Sequence, residues 1–237
     1  MKSITVNNFS EFHEAVQANS VQGSSFRGHK DRDGYKLKPS IGRYLKPFED
    51  KGLSKDDLLS VEREVFELFE VESHPHLSYA PQSEWEWLVL AQHNGVPTRL
   101  MDWTHNALNA LYFAVSDKFD GDSAVYILHY WDKCRFIRPR TEDEEVSPFD
   151  IEEVLVYLPR HIHSRVVNQK GIFTAHPDPT EEINKDWVTE LVIPNAARLE
   201  LKRNLYSYGV TPHSIYPDLG GLADWLITLK LDRIMAT

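Results

Sequence analysis

"QHNGVPTRLMDWTHNALNALYFA", residues 92–114, decides how the chain is organised. Gly95 stops one helix, "VPTRLMDW" is a short extended link, and "THNALNALYFA" begins a second, strongly apolar helix. Apolar segments flank the link, so it is expected to run through the interior, where its polar side chains must find partners. Gln92 and His93 lie at the end of the first helix. Thr98, Arg99 and Asp102 lie on the link, and Thr104 is read as the cap of the second helix. A helix end beside a helix start is suited to holding an anion. Two readings stay open: these groups satisfy one another, with Asp102 accepting from Arg99 or a backbone amide, or they serve a ligand.

Upstream, "SEWEWLVLAQHNG" reads as a helix capped by Ser83 and Glu86, and "SKDDLLSVEREVFELFEVES" as a longer one. Ser54 and Asp57 cap that longer helix, and Leu58, Val61, Val65, Leu68 and Phe69 form its expected apolar stripe. A first helix over 8–18 leads into the extended "SSFRGH". Downstream, "SAVYILHY", "VLVYLP", "IFTAH" and "DWVTELVIP" read as strands. "RHIHSRVVNQKG" reads as a helix ended by Gly171, and further helices occupy 195–230. Helices and strands mix without strict alternation. The expected fold is α+β, one domain over 1–237, with a mixed or antiparallel central sheet and surrounding helices.

Hydrophobic residues make up 41% and charged residues 26% of the chain, the composition of a globular protein. A net charge of -10 repels a polyanion, so duplex nucleic acid is not the expected partner. The single cysteine rules out an internal disulfide, and no apolar run approaches the ~20 residues of a membrane span. The expected location is the cytoplasm, with no membrane partner. "HPH" at 74–76 and "HIH" at 161–163 lack a cysteine or carboxylate at a recognised metal spacing, so no metal is expected.

"FRG" at 26–28, "LKPSIGR" at 37–43 and "QHNGVPTRLMDWTHNALNALYFA" together resemble the FRG domain family, named for the first motif. The resemblance continues in "RVVNQKGIFTAH" at 165–176 and in "SIYPDLGGLA" at 214–223, where Gly220 replaces an expected acidic residue. The family occurs in bacteria and phages. The chain also resembles ADP-ribosyltransferases of the arginine–serine–glutamate kind. That likeness implies Phe26-Arg27-Gly28 as the element that holds NAD, Thr98–Thr104 as the second element, and Glu190 as the catalytic glutamate.

Arg27 suits this role because guanidinium grips phosphate bidentately and stays charged when buried. Gly28 is expected to let a ligand approach the backbone. The expected ligand site is Arg27, Gly28, Gln92, Thr98, Arg99, Asp102, Thr104, Arg165 and Gln169, with Glu190 and His93 as candidate catalytic residues. The expected ligand is a nucleotide or other phosphate-bearing molecule, with NAD as candidate substrate and no required cofactor. An NAD-consuming effector, such as a toxin or defence protein, and a noncatalytic binding module both remain open.

Overall fold

A computed structural model describes residues 1–237 except 22, 78, 132, 140–141, 160–170 and 233–237. Its centre is one mixed sheet of eight strands: β1 Lys2–Thr5, β2 Ser25–His29, β3 Leu100–Thr104, β4 Ser123–Leu128, β5 Arg135–Ile137, β6 Leu155–Tyr157, β7 Gly171–Ala175 and β8 Val188–Ile193. The strand order is β1-β8-β4-β2-β3-β7-β6-β5. The edge pairs β1–β8 and β6–β5 are parallel and the rest antiparallel. The helices are α1 Phe9–Asn19, α2 Leu45–Glu49, α3 Lys55–Ser73, α4 Glu84–His93, α5 Ala107–Val115, α6 Asn195–Ser207, α7 Pro212–Ile215 and α8 Leu219–Ile227. The fold is α+β, as the mixture of elements in the sequence indicates. Among the described residues, no helix is long and apolar enough to cross a membrane.

Local chemistry accounts for the helix starts. Asn8, Ser54, Ser83 and Asn106 each accept a backbone N–H with their side chains, and Ser54 completes a capping box with Asp57. Thr104 is therefore not the cap of α5. It ends β3, and its hydroxyl accepts from Asn106 N at 3.1 Å. Gly171, expected to stop a helix, opens β7 instead, and the body of that expected helix lies outside the described residues. The four residues of β1 carry no alternation long enough to announce a strand, yet they pair with Thr189–Val192 of β8.

The residues expected as a link between helices form a central strand. β3 stands between β2 and β7, and alternation sends its side chains to opposite faces. Leu100 joins a core with Phe66, Trp85, Leu88 and Phe173 under α3 and α4. Met101 and Trp103 join another with Tyr126, Leu128 and Val188. A third core unites Phe12, Phe26, Leu111, Ile127 and Leu201 under α1, α5 and α6.

Two expectations about packing are corrected. The inward face of α3 carries Leu58, Glu62 and Phe66, while Val61, Val65 and Leu68 are exposed. The helix is turned so that Glu62 reaches Arg99. Gly28 is required by the close approach of a helix, whatever else it serves. A Cβ on Gly28 would lie 1.9 Å from the Ala110 carbonyl oxygen and 2.8 Å from Ala114 N, both backbone atoms of α5.

Candidate functional site

β2 pairs with β4 along its whole length, from Ser25 to His29, but with β3 only where Phe26 faces Thr104. Past that point the two strands part. The opening leads into a cleft of about 480 Å³ whose walls include Arg27, His29, Tyr35, Arg43, Gln92 and Asp102. Lining residues come from both faces of the sheet, since Arg27 and Asp102 fall on opposite sides of the alternation. Phe113 with Tyr216, and His93 with Phe173, line the cleft as two edge-on ring pairs.

Arg27 occupies the parting. Its Nη1 donates to the Asp102 carbonyl oxygen at 2.7 Å and lies 3.5 Å from Asp102 Oδ2. Its Nε donates to His29 Nε2 at 2.9 Å. That bond requires an unprotonated Nε2, so the ring proton sits on Nδ1, 3.3 Å from the Tyr35 carbonyl oxygen. Burial, with Arg27 and Arg43 beside it, pushes His29 well below the ordinary histidine pKa. Among the described residues Arg27 Nη2 has no hydrogen-bond partner. Among the same residues Arg43 is also without a carboxylate in ion-pair range. It lies over the Tyr35 ring at 5.3 Å. Lys30 by contrast is paired with Asp117 at 2.9 Å.

Asp102 is braced from behind. Gln92 Nε2 donates to Asp102 Oδ2 at 2.9 Å, and Thr98 Oγ1 donates to Gln92 Oε1 at 2.6 Å. Thr98 is buried and does not line the cleft; it acts through Gln92. His93 lines the cleft and meets Phe173 edge-on, with ring centroids 5.9 Å apart. Thr104 and Gly28 also line it. Arg165 and Gln169 lie outside the described residues.

Two expected site residues are placed elsewhere. Arg99 is buried away from the cleft, with Nη2 2.6 Å and Nε 3.2 Å from the two oxygens of Glu62. Its guanidinium also lies over the Phe149 ring at 4.7 Å. Glu190 shares a register row with Arg27, but Tyr126 of β4 stands between them. Two strand spacings put the backbones about 10 Å apart. The Glu190 carboxylate is taken by Arg32, at 2.9 and 3.1 Å, and by Ser3 at 2.6 Å. Burial raises its pKa, but the bonds from Arg32, Ser3 and Tyr126 outweigh it and hold the group below its ordinary value. The structure thus keeps Glu190 outside the cleft because a cation 158 residues away claims it.

Residues 22–123 match the FRG domain. The chain carries an FRG domain. The match takes in Arg27, Arg43, Gln92 and Asp102, so the polar heart of the cleft belongs to the FRG domain. Gly171, Phe173 and Tyr216, which complete the walls, come from beyond it. No curated protein and no solved structure matches the chain.

Sequence reasoning missed His29, Tyr35, Arg43, Phe113 and Tyr216 as cleft residues. His29 was within reach: it lies two residues from Arg27 on one strand, hence on the same face. Arg43 stood in the quoted "LKPSIGR", but nothing local linked it to Arg27.

Proposed function

We propose that the cleft of this FRG domain binds a phosphate-bearing ligand of nucleotide type, anchored by Arg27. The observation that carries this reading is the Arg27 guanidinium: fixed through Nε and Nη1, with Nη2 unclaimed among the described residues, beside a second guanidinium, Arg43, that no described carboxylate pairs. A protein with a net charge of -10 that gathers two such arginines in one cleft is provided for an anion. The cleft volume lies within the usual small-molecule range of roughly 300–1,000 Å³. Tyr35, Phe113, Phe173 and Tyr216 supply the apolar walls that a base needs.

Binding is better supported than turnover. An NAD-consuming reaction needs a carboxylate near the reacting sugar carbon. Among the described lining residues, Asp102 is the carboxylate present. The test is a thermal shift of the wild type with pyrophosphate, ADP and NAD, with NAD consumption followed in parallel. A ligand at 100 times its dissociation constant adds ~2.7 kcal/mol of stability. Arg27→Lys, which keeps the charge and loses the fork, should weaken the response about ten- to a hundredfold in affinity. Absence of any shift with all three probes would refute the proposal.

A further inference from the structure

The bonds behind Asp102 form a chain in which every donor is determined. The Asp102 carboxylate and the Leu100 carbonyl only accept, so the end of the Gln92 amide that faces them is Nε2, donating to Asp102 Oδ2 at 2.9 Å with a longer contact to the Leu100 carbonyl at 3.4 Å. Gln92 Oε1 therefore points the other way and accepts from the Thr98 hydroxyl at 2.6 Å, while Leu100 N–H donates to Thr98 Oγ1 at 3.1 Å. The remaining contact to the carboxylate, from Arg27 Nη1, goes to the same Oδ2. Among the described residues Oδ1 accepts nothing, although the Asp102 side chain lines the cleft and is 49% exposed.

A carboxylate beside the anchoring arginine is a poor neighbour for an anion. It repels phosphate unless the ligand also brings a donor. A carboxylate held in one orientation, with one oxygen open, is a recognition element for such a donor. We propose that Asp102 reads a sugar hydroxyl, so that the cleft selects a ribonucleotide over a counterpart lacking the ribose hydroxyls. Gln92 and Thr98 are its positioning residues. This inference rests on the phosphate reading above and adds to it the second half of the ligand: an anion on Arg27 and a hydroxyl donor on Asp102 Oδ1. An analogue without the hydroxyl leaves Oδ1 without that donor, and the charge-assisted bond it forgoes sets the preference.

The experiment is calorimetric titration of wild type, Asp102→Ala and Asp102→Asn with pyrophosphate, ADP and 2′,3′-dideoxy-ADP. Wild type should bind ADP about tenfold or more tightly than the dideoxy compound. Asp102→Ala should lose that preference while holding pyrophosphate as tightly as wild type or more so, since a like charge has gone. Asp102→Asn preserves shape if the alanine variant folds poorly, and should reduce the preference without abolishing pyrophosphate binding. Gln92→Ala should lower the ADP preference and leave pyrophosphate unchanged, which a purely structural role would not produce. Equal affinity of wild type for ADP and dideoxy-ADP, with pyrophosphate still bound, overturns the hydroxyl reading alone. Failure of all three compounds to bind overturns the phosphate reading beneath it.

Discussion

Arg99 and Arg27 reach carboxylates from opposite ends of one strand region, and the two meetings differ in every respect. Arg99 presents two nitrogens to the two oxygens of Glu62, at 2.6 and 3.2 Å, with side chains 4% and 1% exposed. Arg27 comes no nearer than 3.5 Å to the carboxylate of Asp102, a side chain 49% exposed, and spends its better bonds on the Asp102 backbone carbonyl and a neutral histidine. The closed pair ties α3 to β3 and has no valence left for a ligand. The open pair leaves one nitrogen and one oxygen unclaimed in a cleft. Residue type does not separate structural from functional arginines here; what each has left over does.

The largest expected effect breaks the closed pair. Glu62→Ala strands a buried guanidinium and should lower stability by about 3–5 kcal/mol. Urea denaturation measures it, and a loss under about 1 kcal/mol would mean that Arg99 finds water or another acceptor. The carbonyls of Pro148 and Phe149, 3.4 and 3.5 Å from Nη1, are too distant to replace a carboxylate.

Next in size is Gly28→Ala. The added methyl meets the backbone of α5, which cannot rotate aside as a side chain would. Overpacking of this kind is expected to cost about 3 kcal/mol, measured by the same denaturation. A variant as stable as wild type would show that α5 can move away from β2, and the cleft wall with it.

Acid should act through two buried histidines, of which His29 lines the cleft. His29 and His176 are buried neutral, and both are held below the usual histidine range by burial first and by Arg27 among the neighbouring cations; His176 is pushed down to about 3. Their folded values are depressed relative to the unfolded chain. The stability they permit is therefore complete above about pH 6.5 and is lost as pH falls below it. Together they should remove about 2 kcal/mol between pH 7 and 5.5. Protonated His29 could no longer accept from Arg27 Nε, and would sit between Arg27 and Arg43. Replacing His176 with Asn should roughly halve this pH dependence in urea titrations. An unchanged slope would place the proton uptake elsewhere.

What could be read in advance followed the range of the forces. Ser54 with Asp57, Ser83 with Glu86 and Asn8 with Glu11 act within one helical turn, and those helix starts were legible. The strands of β4, β7 and β8 announced themselves by β-branched and aromatic runs. Where the partner was remote, the reading failed. Gly28 is explained by a helix some eighty residues on, Glu190 by Arg32 158 residues back, and the tilt of α3 by Arg99 37 residues on. Of Arg27, His93, Thr98 and Asp102, expected to converge because polar groups beside apolar runs have few places to go, all but the buried Thr98 line the cleft. The second arginine and the aromatic walls were not legible, since nothing within one turn or one strand connects Arg43 or Tyr216 to Arg27.

The smallest expected effect is the one that sharpens the comparison most. Arg27→Lys in the absence of ligand keeps a positive charge near Asp102 and retains a donor for its carbonyl. It loses the bond from Nε to His29, but the cleft admits water to replace that donor. The contact with the Asp102 carboxylate is long and half exposed, and such pairs contribute about 0–1 kcal/mol. The predicted loss is therefore under about 1 kcal/mol, a shift of about 2–4 °C in melting temperature for a chain of this size. The same substitution at Arg99 removes the second bond to a buried carboxylate that water cannot reach, and should cost about 2 kcal/mol or more. Two ligand-free melting curves, Arg27→Lys and Arg99→Lys against wild type, decide the matter. A loss at Arg27 equal to that at Arg99 would make both arginines parts of the frame. A clear gap between them would leave Arg27 with bonding capacity that the fold does not use.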